Sequence, residues 1–105
     1  MSEEKKEIVV VVDSRLEKLI SKFIGYQRTD FAAVKIAFDQ RDYEELQRLG
    51  HRIKGACGGY GFYELGQLAN QLETAAGLQD LAAIQKCIGS MQDQLFHSKI
   101  QFEKK

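Results

Sequence analysis

An all-α, antiparallel up-and-down four-helix bundle is the fold this sequence predicts, with allowance for an extra N-terminal helix. Three observations carry it. The 105 residues contain no Pro, so the residue that most reliably interrupts helices is missing. Apolar residues recur at three- and four-residue spacing from Leu16 to Leu95, the period of an amphipathic helix. The polar punctuation between these stretches is short, and short links favour antiparallel neighbours. The length suits one domain with a single modest core. Residues 1–13 read as an extended N-terminal segment and 14–105 as the bundle.

In order, residues 1–7 are polar and expected to fray. Ile8-Val9-Val10-Val11-Val12 is β-branched throughout and would start a helix poorly. It reads as an extended segment laid on the bundle, because no second strand is evident to pair with it and a lone strand is not stable. Ser14 with Glu17 three residues on forms a capping box. Leu16, Leu19, Ile20, Phe23 and Ile24 then give a first helix. Gln27 to Asp30 is polar, and Phe31, Val34, Ile36, Ala37 and Phe38 restore the periodicity. The sequence leaves open whether residues 14–40 form one bent helix or two.

Asp42 is the next cap, with acidic Glu44 and Glu45 favourable in the first turn. The helix it opens carries Leu46, Leu49 and Ile53 into a glycine-rich stretch, with a kink or break at Gly61. Phe62, Leu65, Leu68, Ala69, Leu72 and Ala76 form a further helix that stops at Gly77. Asp80 caps the last one, whose pattern of Leu81, Ile84, Ile88, Met91, Leu95, Phe96 and Phe102 extends towards a fraying C-terminus. Tyr60, Phe62 and Tyr63 are expected to pack one end of the bundle.

Composition excludes several function classes. Lys plus Arg equals Asp plus Glu at 15 each, so the chain has no global electrostatic footprint for nucleic acid or an anionic membrane. No stretch approaches the roughly 20 apolar residues of a membrane span. The charged start and short apolar run do not make a secretory signal, and the expected location is the cytoplasm. Cys57 and Cys87 stand in helical patterns and are expected to pack as small hydrophobes rather than to pair.

The informative stretch runs from His51 to Gly61. On a helical wheel with His51 at zero, Leu46, Leu49, Ile53, Ala56 and Tyr60 fall between about 140° and 220°. His51 therefore faces solvent. Lys54 and Gly55, three and four residues on, share its face, as does Gly58. An exposed helix face ordinarily carries Glu, Lys or Gln. Gly55, Gly58 and Gly59 here would together cost about 2–3 kcal/mol in a helix interior. That cost has a use if bare backbone around His51 lets another protein come close. Neutral imidazole is a nucleophile near physiological pH. In-line phosphoryl transfer needs positioning and charge neutralisation more than acid–base machinery. Lys54 supplies the charge, and Arg52, further round the helix, supports at most.

His51-x-x-Lys54-Gly55, followed by Gly61 and Leu65, resembles the signature of histidine-containing phosphotransfer (HPt) domains of bacterial two-component multistep phosphorelays. Arg41-Asp42 and Gln79-Asp80 at helix starts, Leu72-Glu73 near the end of the fourth helix, and the overall length fit the same family over roughly residues 14–103. Ala56 stands where Ser is frequent and Gly50 where Ala is frequent. The resemblance implies a four-helix bundle in which His51 takes a phosphoryl group from a receiver-domain aspartate, or from a kinase, and passes it to another receiver. Lys54 would stabilise the phosphoryl group. Gly55 would allow docking, with Gly58, Gly59 and Arg52 at its margin. The implied partners are response-regulator receiver domains and hybrid histidine kinases. No cofactor is implied on this chain; Mg²⁺ would belong to the receiver. The chain would have no kinase activity of its own and is expected to be a monomer.

Two other functions compete for the same sequence. An enzyme finds little support: the sequence has no phosphate-binding glycine loop, no zinc-spaced Cys/His set and no Glu three residues before either histidine, as a diiron bundle needs. His97 reads as a plain surface residue. A non-catalytic adaptor would use the same scaffold and bind a receiver or kinase through the glycine-bearing face, and it would tolerate His51→Gln.

Overall fold

In the computed structural model, residues 7–104 are described; the fraying expected of residues 1–6 and 105 lies outside them. Four helices, α1 (Glu17–Asp39), α2 (Tyr43–Cys57), α3 (Tyr63–Gly77) and α4 (Leu81–Phe96), pack as an up-and-down bundle. The extra N-terminal helix amounts to one 3-10 turn, Ser14–Leu16. The core is a single cluster in which Phe31, Val34, Leu46, Ile53, Leu65, Leu72, Ile84 and Met91 are closed to solvent. Each such side chain contributes roughly 1.5–3 kcal/mol of transfer free energy.

α1 is one continuous helix through the polar stretch that left its continuity open. Gln27 is buried, and the Thr29 hydroxyl donates to Gly25 O at 3.0 Å. Arg28 donates two hydrogen bonds, at 3.0 and 2.8 Å, to Leu95 O on α4, and Asp30 pairs with Arg52 on α2. Arg28 and Asp30 are cross-helix ties and Thr29 bonds within α1, so these residues need no bend in the helix. The Ser14–Glu17 capping box does not form. Asp13 instead accepts from Arg15 N at 2.9 Å and binds the Arg15 guanidinium, and Leu16, at the N-cap of α1, makes no side-chain cap. Leu19 and Ile36, counted with the apolar face, are half-exposed or more.

Asp42 and Asp80 cap as expected, accepting from Glu45 N at 3.1 Å and Ala83 N at 3.2 Å. The residue before each is left-handed: Arg41 and Gln79 both have φ of 54°. At α3 the terminal carbonyls of Ala76 and Ala75 are taken by Gln79 N and Asp80 N, so the chain reverses within one turn. Gly77 ends α3, but the left-handed position falls on Gln79. A non-glycine residue pays there. Gln79→Gly is expected to stabilise the fold by about 0.5–1 kcal/mol, read as a melting-temperature rise of about 2–6 °C. Arg41→Gly should gain less, because Arg41 also donates to Phe38 O and stacks on the Phe38 ring at 4.6 Å.

The ends of the chain differ from expectation. Residues 8–12 do have a partner strand. β1 (Ile8–Asp13) pairs in parallel with β2 (Ser98–Glu103), Val10 facing Ile100 and Val12 facing Phe102. Parallel strands need a long crossover, and here the whole bundle is the crossover. Val10 and Val12 are buried in the bundle core, which gives a two-stranded pair the support it lacks alone. The last helix accordingly stops at Phe96 rather than running towards Phe102. Its final carbonyls are already occupied: Ser98 Oγ donates to Gln94 O at 2.6 Å, and Arg28 holds Leu95 O.

Tyr60 and Phe62 pack on Phe23, with ring centroids 4.4 and 4.9 Å away, as expected of the aromatic group. Tyr63 does not join them and is largely exposed. Cys57 and Cys87 are free and buried. Burial pushes the Cys57 thiol up to about 12, so it stays protonated and unreactive at neutral pH.

Candidate functional site

The site grows from the amphipathic pattern of α2. Leu46, Leu49, Ile53 and Cys57 are buried, which turns the opposite face outward. His51 stands in the middle of that face with 71% of its side chain exposed. The imidazole is not alone. Nδ1 lies 3.2 Å from Glu73 Oε2 on α3. Lys54 Nζ lies 3.2 Å from the other carboxylate oxygen of Glu73 and donates to Asn70 Oδ1 at 3.2 Å. That second oxygen is closed to solvent and makes no aligned hydrogen bond, so Lys54 meets it as a charge. One carboxylate therefore spans the histidine and the lysine, and Nε2 of His51 is directed away from it.

Arg52 turns to α1, its Nε 3.2 Å from Asp30 Oδ2. It borders the exposed face but is committed to a cross-helix pair. Arg48 is held by Glu45 at 2.6 and 2.7 Å. Lys54 is thus the cation on α2 that sits beside the imidazole.

The glycines divide into two kinds. A methyl group at Gly55, Gly58 or Gly59 would meet no atom within 4 Å. None of the three has a left-handed backbone; that role belongs to Gly61, at φ 80°. Packing of this chain does not require glycine at any of them. The helix cost of these glycines is smaller than three interior positions would give. α2 ends at Cys57, and Gly58 and Gly59 lie in the 3-10 turn Gly58–Tyr60. Only Gly55 carries the interior helix cost of roughly 0.8–1 kcal/mol. Gly50, one residue before His51, is of the other kind: it is buried against the backbone of α3.

Sequence reasoning brought His51, Lys54 and Gly55 to one face, and the structure agrees. It did not assign Glu73 or Asn70 to the site. Their signal was present: Gly66, Asn70, Glu73 and Gly77 follow the three- and four-residue spacing of one α3 stripe. The stripe borders α2, which brings Asn70 and Glu73 within reach of Lys54. Among the described residues, no group of three or more His, Cys, Asp or Glu side chains is arranged to hold a metal ion. No helix there is long and apolar enough to cross a membrane.

What the arrangement can do is limited and specific. An exposed imidazole with its Nδ1 side held by a carboxylate presents Nε2 as a nucleophile. A lysine one turn away can meet an incoming anion. The imidazole stands on an open helix face that a partner's surface can reach. A family model described as "Hpt domain" matches residues 18–98. No curated protein and no solved structure matches the chain.

Proposed function

The chain belongs to the Hpt domain family, whose members act in phosphotransfer within two-component signalling without kinase activity of their own, and on that premise we propose that His51 is the phosphoryl acceptor and donor of a phosphorelay. The single observation behind this reading is an exposed imidazole whose Nδ1 faces Glu73 while Lys54 sits on the same carboxylate.

Glu73 favours the tautomer with the proton on Nδ1, leaving the lone pair on Nε2. In the forward step Nε2 attacks the phosphorus of a receiver's aspartyl phosphate. The P–Nε2 bond forms, the acyl P–O bond breaks, and its electron pair leaves on the aspartate carboxylate. Positive charge develops on the imidazole, and Glu73 stabilises it. Lys54 exchanges Glu73 and Asn70 for the phosphoryl oxygens, neutralising charge that spreads over them in the loose transition state. The reverse step returns the group to a receiver. Any Mg²⁺ involved is the receiver's. Gly55 leaves the space through which the receiver's acyl phosphate reaches Nε2.

The test is transfer from a panel of receiver domains charged with a small-molecule phosphodonor or their kinases. Acid-labile, base-stable label mapping to the His51 peptide supports the carrier. A receiver that binds without transferring label overturns it in favour of an adaptor.

A further inference from the structure

We infer that this chain pairs with a second copy of itself through β2, the two strands running antiparallel about a two-fold axis at Gln101, so that Lys99 of each copy faces Glu103 of the other.

Among the described residues the sheet has two strands, β1 and β2, so each has one edge without a strand beside it. Such an edge is a row of N–H and C=O groups that can template another strand. β1 has the turn at Gly61 against it, where a Cβ would lie 3.2 Å from Val11 O, and Ile8 to Val12 carries no charge to fix a register. β2 borders a groove instead. Ile100 and Phe102 form one wall, and Ile20, Ser21, Ile24 and Gly25 of α1 form the other. A methyl group at Gly25 would meet nothing within 4 Å, so the α1 wall leaves room beside the strand. Phe102 remains 37% exposed.

The sequence of β2 is its own complement. Directly opposed residues of an antiparallel pair share a face, and in a two-fold pair every contact occurs twice. With Gln101 on the axis, residue 99 faces 103 and residue 100 faces 102. Lys99, Gln101 and Glu103 are exposed, so a Lys–Glu contact closes each end of the pair. Ile100 and Phe102 stand beside the buried Val10 and Val12, so they meet as an apolar pair over the groove. Moving the axis to Ile100 or Phe102 takes Lys99 away from Glu103. A lysine on an edge ordinarily discourages a second strand; here it meets an acid and selects the register. Lys99 Nζ also lies 3.0 Å from Glu7, but both side chains are largely exposed, and an ammonium has three donors.

The groove and the His51 helix lie on different flanks of α1. Arg28, which lines the groove, turns to α4, whereas Asp30 turns to α2. The paired copies therefore keep both His51 faces open. The monomer expected from the sequence rests on helix periodicity, which does not register this strand.

The experiment is sedimentation of the native full chain over about 1–500 µM. A strand pair is at the small end of specific interfaces, so a reversible dimer with a dissociation constant on the order of 10–100 µM is expected. Lys99→Glu and Glu103→Lys should each weaken it about tenfold, because like charges then stand opposed twice. Combining the two changes should restore it to within about threefold of the native value. Gln101→Cys should give a disulfide-linked dimer on treatment with diamide, since directly opposed Cα atoms lie about 4.5–5.5 Å apart and a disulfide spans about 4.4–6.8 Å. Lys99→Cys should not, its copies lying on the order of 13 Å apart along the pair. Cys57 and Cys87 are buried and do not compete. A single-chain mass throughout the range would overturn the inference. So would association indifferent to the charge reversals, a combined variant that stays weak, or cross-linking of Lys99→Cys as readily as Gln101→Cys.

Discussion

Replacing His51 by Gln is expected to abolish phosphoryl acceptance completely and to leave the melting temperature within about 4 °C of the native value. The two halves of this result have separate causes. The amide of Gln has no lone pair of imidazole's nucleophilicity, so no P–N bond forms. The His51 side chain is largely exposed and its polar contact is with Glu73, which Gln can still approach as a donor. Phosphotransfer with thermal unfolding on the same samples checks both. Residual label on the variant would move the acceptor elsewhere, and the exposed His97 at the end of α4 is where to look.

Gly55→Leu should do something less familiar: make the protein more stable and much less active. Leu is among the better helix formers and Gly nearly the worst, so the exchange is worth about 0.6–1 kcal/mol in a helix interior. A Cβ at Gly55 finds open space, so no packing penalty offsets the gain. The isobutyl group would stand on the exposed face one turn from His51 and hold an approaching receiver off. A displacement of about 1 Å at a reacting centre costs on the order of 100-fold in rate. The expected readout is a melting temperature higher by about 3–6 °C with transfer reduced about 100-fold. Unimpaired transfer would mean that the partner does not pass over this turn of α2.

The four-helix architecture and the exposure of His51 were legible because both rest on the period of α2. Leu46, Leu49 and Ile53 are buried as the wheel required, and the caps at Asp42 and Asp80 follow from local backbone needs. Lys54 was legible as a neighbour three residues on. What was not legible depends on contacts between elements. Ser98-Lys99-Ile100-Gln101-Phe102-Glu103 alternates in polarity, the period of a strand, yet Phe102 also stands seven residues after Leu95 and fits a helix. In the folded chain the strand has β1 beside it, with Ile100 opposite Val10 and Phe102 opposite Val12, while Arg28 and Ser98 bond the last carbonyls of α4. The Ser14 box is pre-empted because Ser14 lies inside a 3-10 turn: Asp13 caps that turn at Arg15 N, and Glu17 N bonds to Ser14 O. Glu73 belongs to the site only because α2 and α3 approach at one level, a distance that no spacing within one helix encodes.

The parallel pairing of β1 and β2 also fixes how the molecule bears load. Ile8 lies beside Ser98, and Asp13 beside Glu103. The described chain therefore enters at one end of the strand pair and leaves at the other. Tension applied through the two ends runs along the strands, in opposite directions on neighbours that face each other at six register positions. The ladder is then loaded in shear, its hydrogen bonds resisting together, rather than peeled open one after another. The helices lie outside the direct line of pull, so the face that carries His51 is shielded from force until the clasp itself gives way.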